Sequence, residues 1–534
     1  MCIGYNARMQ NGADKLPKKA TELHALLLKT RAELHQAQAM LKHRDLEIEH
    51  LKLQLDKLRR RQFGRSSEKL AEQIEQLELR LQSLGEPAAQ AETPTSVSQK
   101  PSARKPSRRP LPAHLPRDVL IHSPDNQCPD CGGMLKRLGE DVSEVLEYVP
   151  ARFKVIRHVR PKLSCGCCQS IVQMPAISRP IEGGMAGPGL LAHVLVSKYA
   201  DHLPLYRQTM IYRREGVELE RSTLTDWVAQ LGWLLDPLGQ ALGRHVLGGT
   251  TLHADDTPLP VLAPGLGRTK TGRLWTYVRD ERPAGQATPP AVWFQYSPDR
   301  KGIHPQQHLK HYRGALHADG YAGFNQLYVK GEVIEVACWA HVRRKFYDIM
   351  QSTGSPIATE AIERIAMLYA IEKDIRGKPP DCRKAVRQAR AGPLLADLKA
   401  WLHEQLTLVS AKSSLAQAIG YTLPRWTALT RYLADGHLEI DNNAAERSIR
   451  PVALGRKNYL FAGSDAGGER AALIYSLIGT ARLNDINPQE YLTHVIERIA
   501  DHPINRVDEL LPWNLKAELE AIRVRSEATH QEAA

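Results

Sequence analysis

The chain has 534 residues, too many for one hydrophobic core, so several domains are expected. Lysine and arginine number 72 against 59 acids, and the net charge of +13 favours an anionic partner, most commonly nucleic acid. No stretch approaches the roughly 18 apolar residues of a membrane span, the N-terminus lacks the apolar core of a secretory signal, and eight cysteines are too few for a disulfide scaffold. No membrane partner is expected, and the expected location is cytoplasmic and nucleoid-associated.

Residues 1–85 read as helical. Leu27, Leu34, Leu41, Ile48 and Leu55 recur every seven positions, with Leu51 and Leu58 completing the seam of a coiled coil. Thr30 and Arg44 weaken its first half. A second helix carries Leu70, Ile74, Leu77, Leu81 and Leu84, so the pair reads equally as a hairpin turning at Gly64 or as a dimerisation zipper. Residues 86–120 are rich in proline and in Lys100, Arg104, Lys105, Arg108, Arg109 and Arg117, which predicts an extended linker able to contact phosphate.

Residues 121–178 hold Cys128 and Cys131 in "CPDCGG", then Cys165, Cys167 and Cys168 in "SCGCCQS". Two Cys-x-x-Cys knuckles supply four thiolates to a tetrahedral, structural zinc, and the alternating residues between them predict a hairpin inside a zinc ribbon. Either Cys167 or Cys168 can be the fourth ligand, and a redox pair is the rival reading. Residues 179–247 read as helices in a helix-turn-helix-like domain, with Thr223 and Asp226 spaced as a capping box. Such pairs are more often simple packing than DNA readers.

From residue 248 to 350 the order is three strands in meander, a helix, a strand, a helical stretch and a strand leading into a helix, the order of a ribonuclease H-like core. The stretches "TTLHADDTPLPVL" and "GALHADGYAGF" each end a strand reading in His-Ala-Asp, at Asp255 and Asp319. In open sheets, ligands gather at such ends. One aspartate after a strand is usually a turn former or a cap; two need a third partner. Residues 351–435 read as an all-helical insertion, in which Trp401 and Trp426 are most simply core. The second part of the core, 436–500, opens with "DNNAAERSIRP", which starts a helix bearing Glu446, Arg447 and Arg450. Asp255, Asp319 and Glu446 together form a hard oxygen set for two Mg²⁺ or Mn²⁺ ions. Arg456 and Lys457 precede an apolar strand-like piece, and Gly463, Gly467 and Gly468 read as a loop without a Walker lysine. The tail, 501–534, is polar and helical.

The motifs "ADDTP", "HADGYAGFN", "CWAHVRRKFYD", "DNNAAERSIRP", "LGRKNYLFAGSDAGGERAA" and "FGRSSEKL" resemble those of the TnpC-type transposases of the insertion-sequence family numbered sixty-six, over about residues 59–499. The resemblance implies a multidomain α+β protein whose ribonuclease H-like catalytic core is preceded by a coiled coil, a zinc ribbon and a helical domain. It implies the catalytic Asp-Asp-Glu set Asp255, Asp319 and Glu446, zinc ligands Cys128, Cys131, Cys165 and Cys168, and cleavage and strand transfer on DNA. The family usually carries Glu after its first acid, where this chain has Asp256. The motif Cys338-Trp-Ala-His341 is expected to pack against or support the acids, since a lone Cys and His pair is a poor zinc site. Arg343 and Arg344 are then expected near the DNA backbone. The implied partners are the element's terminal inverted repeats, target DNA, a second copy of the chain and small accessory proteins of the same element. A nuclease without strand transfer, or a silent DNA-binding regulator, are the alternative functions.

Overall fold

The computed structural model describes Leu111 and residues 117–532, apart from 124–126, 128–132, 150–151, 264, 266 and 330. The coiled coil and the basic stretch bearing Lys100, Arg104, Lys105, Arg108 and Arg109 lie outside the described residues, as do Cys128 and Cys131. The chain forms two compact units. One includes Arg343–Glu363 and Ala400–Thr422; the other includes the described residues of 111–342, Arg364–Lys399 and 423–532.

The first sheet of the larger unit comprises β1 (Arg117–Ile121), β2 (Leu135–Val149), β3 (Arg152–Cys165) and β4 (Ile171–Gln173), ordered β1-β3-β2 with β4 also on β3. Alternation drives it: Phe153, Val155 and Val159 are buried at steps of two or four, with Lys154 and His158 on the other side. β2 and β3 form the expected antiparallel hairpin, ending at Leu135 opposite Cys165. β1 starts inside the stretch read as linker; it runs parallel to β3, and Arg117 Nε donates to Glu144 at 3.0 Å.

Four helices follow: α1 (Pro188–Tyr199), α2 (Leu205–Arg214), α3 (Arg221–Leu234) and α4 (Asp236–Leu247). The capping box at Thr223 does not form. Helix α3 begins three residues earlier, with Glu220 at its N-cap, and no side chain caps it. Its apolar stripe of Leu224, Trp227, Val228 and Leu231 is buried in the core.

The second sheet holds β5 (Thr251–Ala263), β6 (Arg268–Arg279), β7 (Ala291–Ser297), β8 (Gly314–Ala318) and β9 (Val333–Ala337), in the order β7-β6-β5-β8-β9. β5, β6 and β7 are antiparallel neighbours, while β5, β8 and β9 run parallel. Helix α5 (Ile303–His308) joins β7 to β8, and a short 3-10 turn with α6 (Asn325–Tyr328) joins β8 to β9. The expected order of elements is therefore present. Helix α7 (Trp339–Thr353) leaves β9 directly.

The insertion is helical, as expected: α8 (Pro356–Ile375), α9 (Pro380–Val386), α10 (Gly392–Leu408), α11 (Ser414–Thr422) and α12 (Trp426–Thr430). A π turn at Arg387–Ala391 precedes Pro393, whose missing N–H breaks the regular ladder. Within the smaller unit, Lys345 Nζ lies 4.3 Å from the Tyr421 ring centre.

The chain returns to the sheet with α13 (Asn443–Gly455) against β5 and β6, and α14 (Asp465–Leu483) against β7. α15 (Pro488–Arg498) packs on α1, and α16 (Pro512–Glu532) follows. β7 is an edge strand, and α14 covers it. The outward N–H groups of Val292 and Phe294 donate to Thr480 and Ser476 at 3.1 and 2.7 Å, one helical turn apart. Gly467 and Gly468 lie within α14 rather than in a loop. Ser464 caps the helix by accepting from Gly467 N–H at 3.1 Å, and Gly468 leaves room for the Tyr296 ring. The strand-like piece before it reduces to one bridge, Ala462 with Val261.

Candidate active site

The repeated His-Ala-Asp has a geometric reason. β5 and β8 pair in parallel with Thr251 opposite Ala315, Leu252 opposite Leu316 and His253 opposite His317. Asp255 and Asp319 each lie two residues past that last pair, so the parallel register brings them to the same level of the sheet. Asp319 directly follows β8. Asp255, however, is not at a strand end, because β5 continues to Ala263. The parallel ladder stops at His253, while the antiparallel pairing with β6 carries on, placing Thr276 opposite Asp255.

Backbone N–H groups orient both acids. Asp255 Oδ1 accepts from Asp256 N–H at 2.7 Å, and Asp319 Oδ1 accepts from Tyr321 N–H at 2.9 Å. Glu446 lies in the first turn of α13. Burial pushes the Asp255 carboxyl up to about 7, and the negative charges of Asp319, Asp256 and Glu446 push in the same direction against the Asp256 N–H. The structure thus brings the three sequence-predicted acids together as one group of mutually repelling carboxylates. A divalent cation relieves such repulsion, and the all-oxygen donor set fits a hard one.

Asp256 faces a different environment. Its side chain is 3% exposed and takes an ion pair from Arg273 at 3.0 Å and another from Arg300 at 2.8 Å. Arg300 also reaches within 4.0 Å of Asp319, and its guanidinium sits 4.2 Å from the Tyr321 ring centre. Asp256 therefore anchors two guanidinium groups. Sequence reasoning missed Arg273, inside β6, and Arg300, three residues after β7; no pattern in the chain marks either.

It also missed the buried groups that hold Glu446's helix to the strands. His253 and His317 stack with ring centres 4.3 Å apart, at 19° between planes. Asn442, fully buried at the N-cap of α13, donates from Nδ2 to Ala254 O at 2.8 Å and puts Oδ1 3.1 Å from His253 Nδ1. Its backbone N–H donates to Cys338 Sγ at 3.1 Å. Glu439 N–H lies 3.2 Å from His317 Nε2. Burial is the main cause that lowers the two rings, to about 4 for His253 and about 3 for His317, so both stay neutral. Asp441 stabilises the helix start by accepting from Asn443 N–H at 3.1 Å.

Behind this segment lies a buried ion network. Arg387 is fully buried and bidentate on Glu372, at 2.8 and 2.6 Å, while donating to the carbonyls of Tyr432, Asp435 and Leu438. Arg383, also buried, donates to Gly436 O at 2.8 Å and pairs with Glu439. Gly436 is required here: a Cβ would stand 1.8 Å from Pro380 O. The insertion thereby fixes residues 436–439, just ahead of Asp441.

His341 Nε2 lies 3.6 Å from Glu446 Oε1. Trp426 is half-buried and meets the buried Trp339 edge-on at 5.7 Å. Arg447, Arg450 and Lys457 are exposed, Arg343 and Arg344 are exposed on α7, and Arg456 is half-buried, donating to Pro258 O. Cys165 is buried at the end of β3, with Cys167 and Cys168 exposed in the following turn.

Residues 183–470 match the profile of the transposase IS66 family, and residues 125–169 match the zinc-finger binding domain of transposase IS66. The chain belongs to the IS66 transposase family. Residues 476–513 match the IS66 C-terminal element, and residues 50–119 match a profile described as transposase C of IS166 homeodomain. An uncharacterized Sinorhizobium fredii protein, y4hP, is 43% identical to this IS66-family chain over 490 residues, spanning 87% of this chain and 88% of its own. A second from the same organism, y4qI, is 38% identical over 514 residues, 94% and 95% of the two chains. Membership supports a transposase function that uses a divalent metal and carries a zinc-finger domain. Among the described residues no helix is long and apolar enough to cross a membrane.

Proposed function

We propose that the protein binds the terminal inverted repeats of its own insertion sequence, cuts DNA there to expose 3′-hydroxyls, and joins them to target DNA. The observation that carries this is the convergence of Asp255, Asp319 and Glu446 on the register-matched strands and the adjoining helix. The strand order, with three antiparallel strands followed by two parallel ones and helices between, supports a ribonuclease H-like core over residues 248–350 and 436–500.

Two Mg²⁺ or Mn²⁺ ions held by these carboxylates would activate the attacking oxygen and neutralise the leaving one. The chain's own residues provide the placement. Strand register fixes Asp255 against Asp319, and Asn442 with the two histidines fixes the helix that presents Glu446. Arg300 and Arg273 hold the neighbouring Asp256 out of the set. Positioning of this kind supplies much of the rate in phosphoryl transfer. Arg343, Arg344, Arg447, Arg450, Arg456 and Lys457, with the linker's Lys100, Arg104, Lys105, Arg108 and Arg109, supply phosphate contacts. Cys128, Cys131, Cys165 and Cys168 hold a structural zinc in residues 121–178. Residues 1–85 pair chains on the two DNA ends, making the working form at least a dimer in the cytoplasm, on the nucleoid, beside the element's accessory proteins.

The test is a labelled duplex carrying one element end, incubated with protein and Mg²⁺ or Mn²⁺, with the accessory proteins added in a parallel reaction. Wild type nicks at the element boundary and leaves a 3′-hydroxyl. Asp255→Asn, Asp319→Asn and Glu446→Gln each bind the duplex as wild type does and lower cutting at least about 100-fold. Near-normal cutting by any of the three overturns its assignment.

A further inference from the structure

Next to the acids stands a donor set of a different chemical kind. Cys338 lies between β9 and α7, His341 is three residues further on, and Glu446 comes from α13. One ligand atom from each lies within 4.8 Å of the others. His341 Nε2 and Glu446 Oε1 are 3.6 Å apart, close to the roughly 3.3 Å edge between two ligands of one tetrahedral zinc ion. Burial pushes the Cys338 thiol up to about 12, and two backbone N–H groups orient its sulfur. It accepts N–H groups from Asn442, at 3.1 Å, and from His341, at the N-terminus of α7. Such supporting contacts orient ligands in metal sites, and a bound cation would displace the thiol proton.

Capping of α7 by the sulfur alone would account for Cys338. It gives no reason for an imidazole and a carboxylate from another helix to converge on the same point. We propose that Cys338, His341 and Glu446 form a binding site for a borderline-soft metal ion, Zn²⁺, with three protein ligands and an open fourth position. Sulfur and nitrogen select zinc over magnesium, so this site is distinct in chemistry from the all-oxygen set although Glu446 belongs to both. A zinc ion bound here ties up Glu446, a consequence that rests on the role proposed for that residue above; the site itself does not.

The experiment is metal content on the full-length protein, loaded with Zn²⁺, dialysed against zinc-free buffer and measured by atomic emission. Cys338→Ser, His341→Gln and Glu446→Gln are each expected to hold about one zinc ion per chain fewer than wild type. Asp255→Asn, which touches only the oxygen set, is expected to keep wild-type content. Thermal melts followed by circular dichroism identify variants that remain folded. His341→Gln, half-exposed, serves if the buried Cys338→Ser does not fold. Equal zinc in wild type and in the folded variants overturns the proposal. Because the readout needs neither DNA nor turnover, its failure is separate from failure of the transposase reading.

Discussion

Two regions bring acids to one place by different means. On β5 and β8, backbone register does it: Asp255 and Asp319, each two residues beyond the paired His253 and His317, arrive at the same level. Residues 436–446 have no strand partner to set their level. They are held by side chains and a carbonyl from Arg383, Arg387, His317, Cys338 and Ala254, outside the segment. Register is robust to single substitutions because many backbone bonds share it. A buried polar network is not, since each member left without its partner retains a desolvation cost. The third acid is therefore the vulnerable one.

The largest expected effect breaks the network at its most buried cation. Arg387→Met removes the bidentate partner of Glu372 and the donor to the carbonyls of Tyr432 and Asp435, leaving Arg383 as the remaining cation near Glu372 and Leu438 O, and is expected to cost about 3–5 kcal/mol. Urea unfolding measures it; a loss below about 1 kcal/mol would show that the segment before Asp441 is held otherwise. Asn442→Ala removes the bonds to Ala254 O and His253, and is expected to cost about 1–3 kcal/mol. Its sharper signature is kinetic: cutting falls further than stability explains, whereas an equal loss at Thr251→Ala, in the strand alone, would erase the contrast between the two regions.

A smaller effect comes from pH. His253 and His317 have folded values of about 4 and about 3 against an ordinary 6.5, so the unfolded chain binds more protons in that window. Stability is then present above pH 6.5 and lost as pH falls below it, by about 1.4 kcal/mol per pH unit per ring. Asp255, raised to about 7, acts in the opposite sense because its folded form takes up a proton first. Midpoints compared at pH 7.5 and 5.5 in Asp255→Asn remove that offset. Buried His308, also lowered to about 4, adds to the slope, so His317→Gln on that background should reduce it without abolishing it. An unchanged slope would show that the His317 ring protonates freely in the folded state.

The same difference explains what the sequence could reveal. The strands, the insertion's helices and the pairing of Asp255 with Asp319 follow from alternation, periodicity and a repeated motif, which are local signals. Asp255's place inside β5 was not legible, because only the partner strand β6 decides how far β5 extends. Nor was the start of α3, which takes in Thr223 despite the cap signal there. Arg300, Asn442 and the buried arginines of the insertion carry no pattern in the chain; their roles arise only when segments up to 190 residues apart meet. Cys338 and His341 were visible as a motif, but the carboxylate that gives them a chemical purpose lies on another helix.

The most direct test of the central claim, that Asp255, Asp319 and Glu446 form one hard-metal site, is Mn²⁺ binding followed by electron paramagnetic resonance on full-length protein. Wild type is expected to bind Mn²⁺, and Asp319→Asn to bind it at least about tenfold more weakly while unfolding at the same temperature. Equal affinity in the two proteins would contradict the account.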